Sequence, residues 1–169
     1  MRRTTAWSVL LSSIFVFFAV TQSEFAEARE MQGRLGLGYN SQFANTSATE
    51  RVPGVSLKYG LSRDLAVEGV FGLSTATPTN SVLGGKLFKN IFYETNLNFY
   101  GMLGFATLAA QSKAGIQFLG GFGAEFFIPG LESVGFAMET GASMDSLSGS
   151  FAIRTLGVSF LDAGIHFYF

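Results

Sequence analysis

The sequence predicts an all-β fold, a transmembrane antiparallel up-and-down β-barrel of about eight strands. Three observations lead to this prediction. Apolar residues recur at every second position along most of the chain, an apolar leader precedes that region, and charge is scarce. Of the 169 residues, 48% are hydrophobic and 14% are charged, whereas roughly a quarter of the residues in soluble domains are charged.

The N-terminal region has the features of a secretory signal peptide. A short basic region precedes an apolar run over residues 7–20, and an Ala-Glu-Ala tripeptide ending at Ala28 fits an A-x-A cleavage site. The apolar run is shorter than the ~20 residues that a membrane-spanning helix needs. We therefore expect residues 1–28 to be cleaved and residues 29–169 to form the barrel domain.

The period-two alternation divides into about eight segments, which is typical of strands with two different faces. In chain order, the segments cover residues 35–39, 55–61, 65–73, 83–87, 97–105, 116–126, 134–138 and 161–169. Four apolar residues, Val70, Tyr100, Met102 and Leu119, break the pattern by falling on the polar face. Strands of roughly ten residues can cross a bilayer, and in lipid such a sheet must close on itself.

The predicted connectors alternate in character. Tight turns are expected at residues 62–64 and 128–131, where Ser-Arg-Asp and Pro-Gly occur. Longer polar loops are expected on the opposite side, at residues 44–51, 74–80, 107–113 and 145–156. Short turns on one side and long extracellular loops on the other are the usual arrangement in outer-membrane barrels.

A soluble barrel or sandwich is the alternative, with the apolar face buried and the polar face in water. Three features favour the membrane: glycine crowds the polar face, phenylalanine and leucine dominate the apolar face, and large aromatics collect at predicted strand ends. We expect those aromatics to form a girdle at the periplasmic interface. They are Phe88, Phe92, Tyr93, Phe126, Phe127, Phe167, Tyr168 and Phe169.

Charged residues lie mostly on the face predicted to point inward. The predicted lumen charge network consists of Arg34, Lys58, Glu68, Lys86, Glu125, Glu139 and Asp162, with His166 on the same face. The interior of an eight-stranded barrel is just wide enough to be filled by side chains. Uncompensated charges there would be costly, so we expect them to pair. A packed polar core and a gated or proton-sensitive ion path are the two interpretations.

The turns suggest a register for the second, third and fourth strands. With the first turn centred on Arg63, Lys58 lies opposite Glu68, and with the next loop centred on Thr77, Glu68 lies opposite Lys86. Opposite charges directly across neighbouring strands are stabilising. We expect the acidic side chains of the later strands on the other wall, and Arg34 and His166 nearer the periplasmic mouth.

The composition argues against most enzyme classes and against nucleic-acid binding. The chain has no cysteine, a single histidine and a net charge of −1, which removes disulfides, thiolate metal sites and a basic nucleic-acid surface. His166 has no obvious serine beside it in sequence, so a nucleophile and base pair is not evident. We expect no enzyme activity, no cofactor and no metal.

The last eight residues, Asp-Ala-Gly-Ile-His-Phe-Tyr-Phe, resemble the C-terminal signal of bacterial outer-membrane barrels. Asp162, Gly164, Phe167 and Phe169 fill its polar, glycine and two hydrophobic positions. The mature chain as a whole resembles small eight-stranded barrels of the OmpA-domain and OmpX type. This resemblance implies a bacterial outer-membrane location, contact with outer-membrane lipid, and recognition of the closing strand by the barrel assembly machinery.

Three functions remain open on this basis. The first is a non-enzymatic integral barrel with a small, largely plugged polar lumen that contributes to envelope structure, expected as a monomer. The second is porin-like passage of small or apolar solutes, with Tyr100, Met102 and Leu119 forming an apolar pocket. The third is adhesion through an extracellular loop, best represented by residues 145–156, where Phe151 and Ile153 alternate like a strand.

Overall fold

The computed structural model describes residues 30–40, 54–75, 79–110, 113–147, 149–156 and 161–169. The predicted signal peptide and the predicted loop at 44–51 lie outside these residues. The described strands are β1 (Leu35–Asn40), β2 (Gly54–Gly60), β3 (Leu65–Ser74), β4 (Asn80–Glu94), β5 (Leu97–Ala110), β6 (Lys113–Ile128), β7 (Leu131–Leu147), β8 (Ser150–Thr155) and β9 (Asp162–Tyr168). No helix in the described part of the chain is long and apolar enough to cross a membrane.

The strands form one closed antiparallel sheet. Each strand from β1 to β7 pairs with its neighbour in sequence, and β9 pairs with both β7 and β1. Strand β8 pairs with β7 between Ala142 and Leu147, and β9 pairs with β7 between Val134 and Glu139. Because β8 and β9 follow one another along the same neighbour, they occupy one position, and the barrel has eight. The predicted fold class is confirmed.

The eighth position differs from the prediction because its strand is interrupted. We call the end of the barrel where β1 begins the lower end. Residues 161–169 form only the lower part of the eighth position, and β8 forms its upper part. Where β8 ends, Leu156 continues the alternation into the barrel, where it is 1% exposed, and its amide donates a hydrogen bond to the Gly141 carbonyl at 3.0 Å. Thr155 and Asp162 are seven positions apart, whereas their partners on β7, Ala142 and Glu139, are three positions apart, so extra residues interrupt the ladder at this point.

Two of the predicted loops are mostly strand. Strand β5 continues to Ala110 and β6 begins at Lys113, so residues 107–113 are largely paired. The region 145–156 contains the end of β7 and all of β8. The prediction failed there because it took polar residues as a sign of a loop, whereas Asp145 is a buried strand residue.

The two predicted tight turns lie where the sequence indicated. Strand β2 ends at Gly60 and β3 begins at Leu65, and β6 and β7 are joined through Gly130. Gly130 has a φ of 83°, a left-handed conformation that favours glycine. A third tight turn, at residues 95–96 between β4 and β5, was not predicted from the sequence.

The core of the molecule is the barrel interior, and the outer wall is apolar. Leucine and phenylalanine side chains on the outer face are exposed, as at Leu83 and Phe122. The four apolar residues that broke the alternation are buried inside, each 4% exposed or less: Val70, Tyr100, Met102 and Leu119. They join an inner apolar cluster, so the irregularity in the sequence marks residues that fill the lumen.

The predicted aromatic girdle is only partly formed. Phe92, Phe167 and Phe169 are exposed on the outer face, as expected. Phe88, Phe127 and Tyr168, however, are 1%, 2% and 4% exposed and point into the barrel. Successive strand residues face opposite sides, so a run of adjacent aromatics cannot all reach lipid.

Candidate functional site

The inward-facing charges lie in the register that the sequence predicted. Lys58 is directly opposite Glu68 across β2 and β3, and Glu68 is opposite Lys86 across β3 and β4. On the outer face, Val67 lies opposite Leu87. All three charged side chains are buried. The predicted register is therefore confirmed for these strands.

Lys58 forms its closest ion pair across the lumen rather than with its neighbour on the sheet. Its Nζ atom lies 2.8 Å from Oε2 of Glu125, although β2 and β6 are four positions apart in an eight-position barrel. The ammonium also lies 4.6 Å from the ring centre of Phe88 and 5.1 Å from that of Tyr100, within the range of cation–π attraction. This contact joins opposite walls.

Lys86 links the third, fourth and seventh strands. Its Nζ atom lies 3.2 Å from Oε2 of Glu68 and 3.4 Å from Oε2 of Glu139. The Tyr100 hydroxyl donates a 2.7 Å hydrogen bond to Oε1 of Glu139. Carboxylates from β3 and β7 thus contact one buried lysine, and a phenol from β5 binds the second of these carboxylates.

His166 does not stand apart at the periplasmic mouth, as the sequence suggested, but lies inside the network with 1% of its surface exposed. Its Nε2 atom is 3.5 Å from Oε1 of Glu68, and its Nδ1 atom is 3.3 Å from Oε1 of Glu125. Ser56 Oγ lies 3.1 Å from Nε2. Sequence reasoning missed Ser56 because it is 110 residues away in the chain.

Ser56, His166 and Glu125 contact one another in the sequence serine, histidine and carboxylate that a catalytic triad has. The likeness does not extend to access by a substrate. Ser56 is 0% exposed and His166 is 1% exposed, whereas a catalytic serine must reach a substrate carbonyl. These contacts therefore describe a packed polar interior rather than a reaction centre. In the described ranges, no group of three or more histidine, aspartate or glutamate side chains is arranged to hold a metal ion.

The lower end of the interior is covered by aromatic and N-terminal residues. The Tyr168 hydroxyl donates a 2.6 Å hydrogen bond to Oε1 of Glu125, and the Arg34 guanidinium lies 5.7 Å from the Tyr168 ring centre. Met31 and Phe127 complete a small buried cluster with this tyrosine. Arg34 therefore lies beside the network through Tyr168, at the end of the barrel where β1 begins.

Glycines in β1 make room for the side chains of the closing strand. A Cβ atom on Gly36 would lie 2.6 Å from the Tyr168 ring, and one on Gly38 would overlap Cδ2 of His166 and the carbonyl oxygen of Ile165. Gly36 pairs with Tyr168 and Gly38 pairs with His166 in the β1–β9 ladder. Alternate glycines in one strand thus accept alternate large side chains from the next.

The four residues of the predicted C-terminal signal lie on the faces that the alternation implied. Phe167 and Phe169 are 49% and 77% exposed on the outer face, and Asp162 is 8% exposed on the inner face. Gly164 pairs with Ala137 and Asp162 pairs with Glu139 across β7 and β9. Asp162 and Glu139 are thus brought together on one wall.

The upper part of the interior is mostly apolar and ends in a polar group. Val82, Leu108 and Leu156 belong to the inner apolar cluster. Gln117 donates a 2.6 Å hydrogen bond to Oδ1 of Asp145, whose Oδ2 lies 3.3 Å from Nε of Arg154. Neither Asp145 nor Arg154 was among the predicted lumen charges, because the region had been taken for a loop.

The apolar residues suggested as a solute pocket are packed together instead. Tyr100, Met102 and Leu119 are 1%, 3% and 4% exposed and belong to the inner cluster. A cavity of about 650 Å³ does lie against this part of the wall, and its lining includes outward-facing Leu103 and Phe122. It is a groove on the outer face rather than a chamber in the lumen.

A second polar group holds the turn between β2 and β3, outside the barrel wall. The Tyr93 hydroxyl donates a 2.5 Å hydrogen bond to Oδ1 of Asp64, and Lys89 lies 2.9 Å from Oδ2. The pKa of the Asp64 carboxyl is lowered, mainly by the hydrogen bond from Tyr93 and next by the hydrogen bond and the positive charge of Lys89.

Comparison of the fold with solved structures identifies its type. The chain aligns with the N-terminal β-barrel domain of Pseudomonas aeruginosa OprF at a TM-score of 0.55 and 14% identity, covering 82% of this chain and 98% of that one. The fold is that of a small eight-stranded outer-membrane β-barrel. Ail, the attachment invasion locus protein of Yersinia pestis, aligns at a TM-score of 0.37 and 13% identity, covering 82% of this chain and 100% of Ail.

No protein-family model matches the sequence of this chain, and no curated protein matches it. At 14% identity, the likeness to the OprF barrel domain concerns the fold alone.

Proposed function

We propose that this protein is a non-enzymatic integral barrel of the bacterial outer membrane that contributes to envelope structure and has a plugged lumen. The ion pair between Lys58 and Glu125 carries this proposal, because it crosses the barrel between strands four positions apart. The apolar residues packed above it support the same conclusion. A general porin needs more strands to enclose an aqueous channel.

Planar-bilayer recording tests the plugged lumen. The refolded protein should insert without producing stable conductance steps, while a larger porin in the same bilayer should conduct. A double variant, Leu108→Gly with Leu119→Gly, removes two buried side chains from the upper apolar section and should raise the frequency of brief openings. Steady ion conductance by the unmodified protein would overturn the proposal and favour porin-like passage of small solutes.

An outer-membrane address follows from the proposed signal peptide and the proposed assembly signal. Cleavage after Ala28 would release the chain into the periplasm. Phe167 and Phe169 are exposed on the outer face of the closing strand, where the assembly machinery can read them. The outer-membrane lipid and that machinery are the partners we propose, with the barrel as a monomer.

Deleting Phe169 tests the assembly signal. We expect the deletion to reduce the amount of folded protein in the outer membrane several-fold, because a terminal aromatic position of the signal is lost. The measurement is the fraction of protein that shows a heat-modifiable gel shift in isolated membranes. Phe151→Ala, which removes another highly exposed aromatic, from β8, is the control and should assemble normally. Unimpaired assembly without Phe169 would contradict the proposed signal.

Adhesion is the second candidate, and one observation favours it. Phe151 and Ile153 on β8 are 67% and 66% exposed, in the hairpin that β8 forms with the end of β7. Among the described strands β8 pairs only with β7, and an open sheet edge can recruit a partner by strand addition. Phe151→Ser with Ile153→Ser should abolish retention of expressing cells on protein-coated surfaces while the barrel still folds. Unchanged retention would remove this candidate.

A further inference from the structure

We propose that His166 is a proton-binding site, held as an imidazolium at neutral pH, and that its proton ties the closing strand of the barrel to β3 and β6. His166 lies on β9, which pairs with both β1 and β7. Its ring faces carboxylates from β3 and β6. The ligand of this site is a single proton.

Both ring nitrogens of His166 face carboxylates. Nε2 lies 3.5 Å from Oε1 of Glu68 and Nδ1 lies 3.3 Å from Oε1 of Glu125. Among the described residues, Nε2 shares a hydrogen bond with Ser56 Oγ and Nδ1 makes none, so the contacts with the carboxylates are ion-pair contacts. A neutral imidazole has one N–H donor and one acceptor nitrogen and would direct a lone pair at one of these carboxylates, whereas the imidazolium places positive charge beside both.

Glu68 depends on that charge more than Glu125 does. Glu125 accepts hydrogen bonds from Lys58 and Tyr168. Neither oxygen of Glu68 accepts a hydrogen bond from the described residues. Oε2 of Glu68 lies 3.2 Å from the Lys86 ammonium, whereas Oε1 lies nearest to the cationic face that a protonated His166 would present. A buried carboxylate oxygen without compensation would be strongly destabilising.

The charge balance of the inward network points the same way. Four carboxylates belong to it: Glu68, Glu125, Glu139 and Asp162. The permanent cations are Lys58, Lys86 and Arg34. With His166 protonated, this network has four positive and four negative groups, and the Asp145–Arg154 pair above it adds one of each. Without that proton the network has an excess negative charge in a region of low dielectric.

A neutral ring is the competing arrangement. In that case the Ser56 hydroxyl would donate to Nε2 at 3.1 Å, and Nδ1–H would point at Glu125. Oε1 of Glu68 accepts no hydrogen bond from the described residues, and with a neutral ring it would also lose the positive charge 3.5 Å away. Both arrangements fit inside the space that Gly38 leaves for the ring, so the protonation state is decided by the carboxylates.

The proposal fixes the direction of the pH dependence. The charged or titratable groups that face the ring are Lys58 on β2, Glu68 on β3, Glu125 on β6 and Tyr168 on its own strand. Removing the proton leaves both carboxylates with one cation fewer. The stabilisation is therefore present at neutral pH and is lost as alkaline pH removes the proton.

Nitrogen NMR of the folded protein in detergent micelles tests the proposal directly. The chain has one histidine, so labelling histidine with ¹⁵N gives signals from His166 alone. At pH 7.5, where an exposed histidine is largely neutral, we expect both ring nitrogens to carry protons. A spectrum at pH 7.5 with one protonated and one unprotonated nitrogen would overturn the proposal. The measurement uses the unmodified protein, so it does not depend on the folding of a variant.

Two variants separate the competing arrangements. Glu68→Gln removes the charge facing Nε2, so the ring should lose its second proton at a lower pH than in the unmodified protein. Ser56→Ala should leave the ring protonated at pH 7.5. A neutral ring in Ser56→Ala, or no change in Glu68→Gln, would contradict the role assigned to Glu68.

A stability measurement tests whether the proton ties the closing strand to β3 and β6. The temperature at which the folded band is lost on gels should fall between pH 7 and pH 10 in the unmodified protein. His166→Gln, which has no ionisable ring, should melt lower at pH 7 and show a smaller fall over that range. Equal pH dependence in the two proteins would show that the proton on His166 does not secure the closing strand.

Discussion

At the scale of single residues, buried charge and missing Cβ atoms set the strongest constraints. Lys86 is fully enclosed and contacts Glu68 and Glu139. Lys89, three residues further along β4, faces outward and pairs with Asp64 while its side chain remains 60% exposed. One strand therefore offers two ion pairs that differ mainly in burial.

Lys86→Met should destabilise the barrel by about 3–5 kcal/mol, because removing one partner leaves buried carboxylates without compensation. Lys89→Met is the matched control and should cost less than about 1 kcal/mol, as exposed pairs do. Reversible urea unfolding in lipid vesicles measures both free energies. Equal effects of the two substitutions would mean that the interior is as wet as the surface.

Gly38→Ala should destabilise the barrel by about 1–3 kcal/mol, the usual cost of forcing extra volume into a packed site. The added Cβ would overlap the His166 ring and the Ile165 carbonyl oxygen. Gly69→Ala is the control, because nothing lies within 4 Å of a Cβ atom there. Unfolding free energies again provide the measurement, and a Gly38→Ala protein as stable as Gly69→Ala would contradict the close approach of β1 and β9.

At the scale of elements, the turn between β2 and β3 is held by a strand that is distant in sequence. Tyr93 and Lys89 of β4 both contact the Asp64 side chain. The backbone amide of Asn90 donates a 2.8 Å hydrogen bond to the backbone carbonyl of Asp64. The pKa of the Asp64 carboxyl is lowered by these partners. Its contribution to stability is thus present above the unfolded-state pKa and is lost as pH falls through the folded-state pKa.

Tyr93→Phe should raise the pKa of Asp64 toward its ordinary value, because the hydroxyl that donates to the ionised carboxylate is removed. An NMR titration of the Asp64 carboxyl carbon measures this change. Tyr59→Phe, which alters an exposed tyrosine on the outer face of β2, is the control and should leave the titration unchanged. An Asp64 titration that is the same in both variants would contradict the assigned cause.

The strands themselves were predictable to differing degrees. The register of β2, β3 and β4 followed from centring the connectors on Arg63 and Thr77, and the alternation supported it because a one-residue slip would exchange the inner and outer faces. The split of the eighth position was not predictable, since the sequence does not show that Thr155 and Asp162, seven positions apart, would pair with residues only three positions apart on β7. Local pattern sets the face of a residue but not its distant partners.

At the scale of the whole molecule, closure of the sheet brings together residues that the sequence keeps apart. The predicted lumen charges were identified from alternation alone. Their pairing was not, because Lys58 is closest to Glu125 across the barrel and not to its sheet neighbour Glu68. Ser56, Tyr100 and Tyr168 joined the site only through closure. Face is a local property, whereas contact across a lumen depends on barrel size and strand tilt.

The coupling energy between Lys58 and Glu125 tests the packed, charge-linked interior most directly. A double-mutant cycle with Lys58→Met, Glu125→Gln and the double variant isolates the pair from its surroundings. Measured by urea unfolding in lipid vesicles, the coupling should exceed about 2 kcal/mol, as for desolvated charge pairs. A coupling below about 1 kcal/mol, typical of ion pairs in water, would mean a water-filled lumen and would contradict the account.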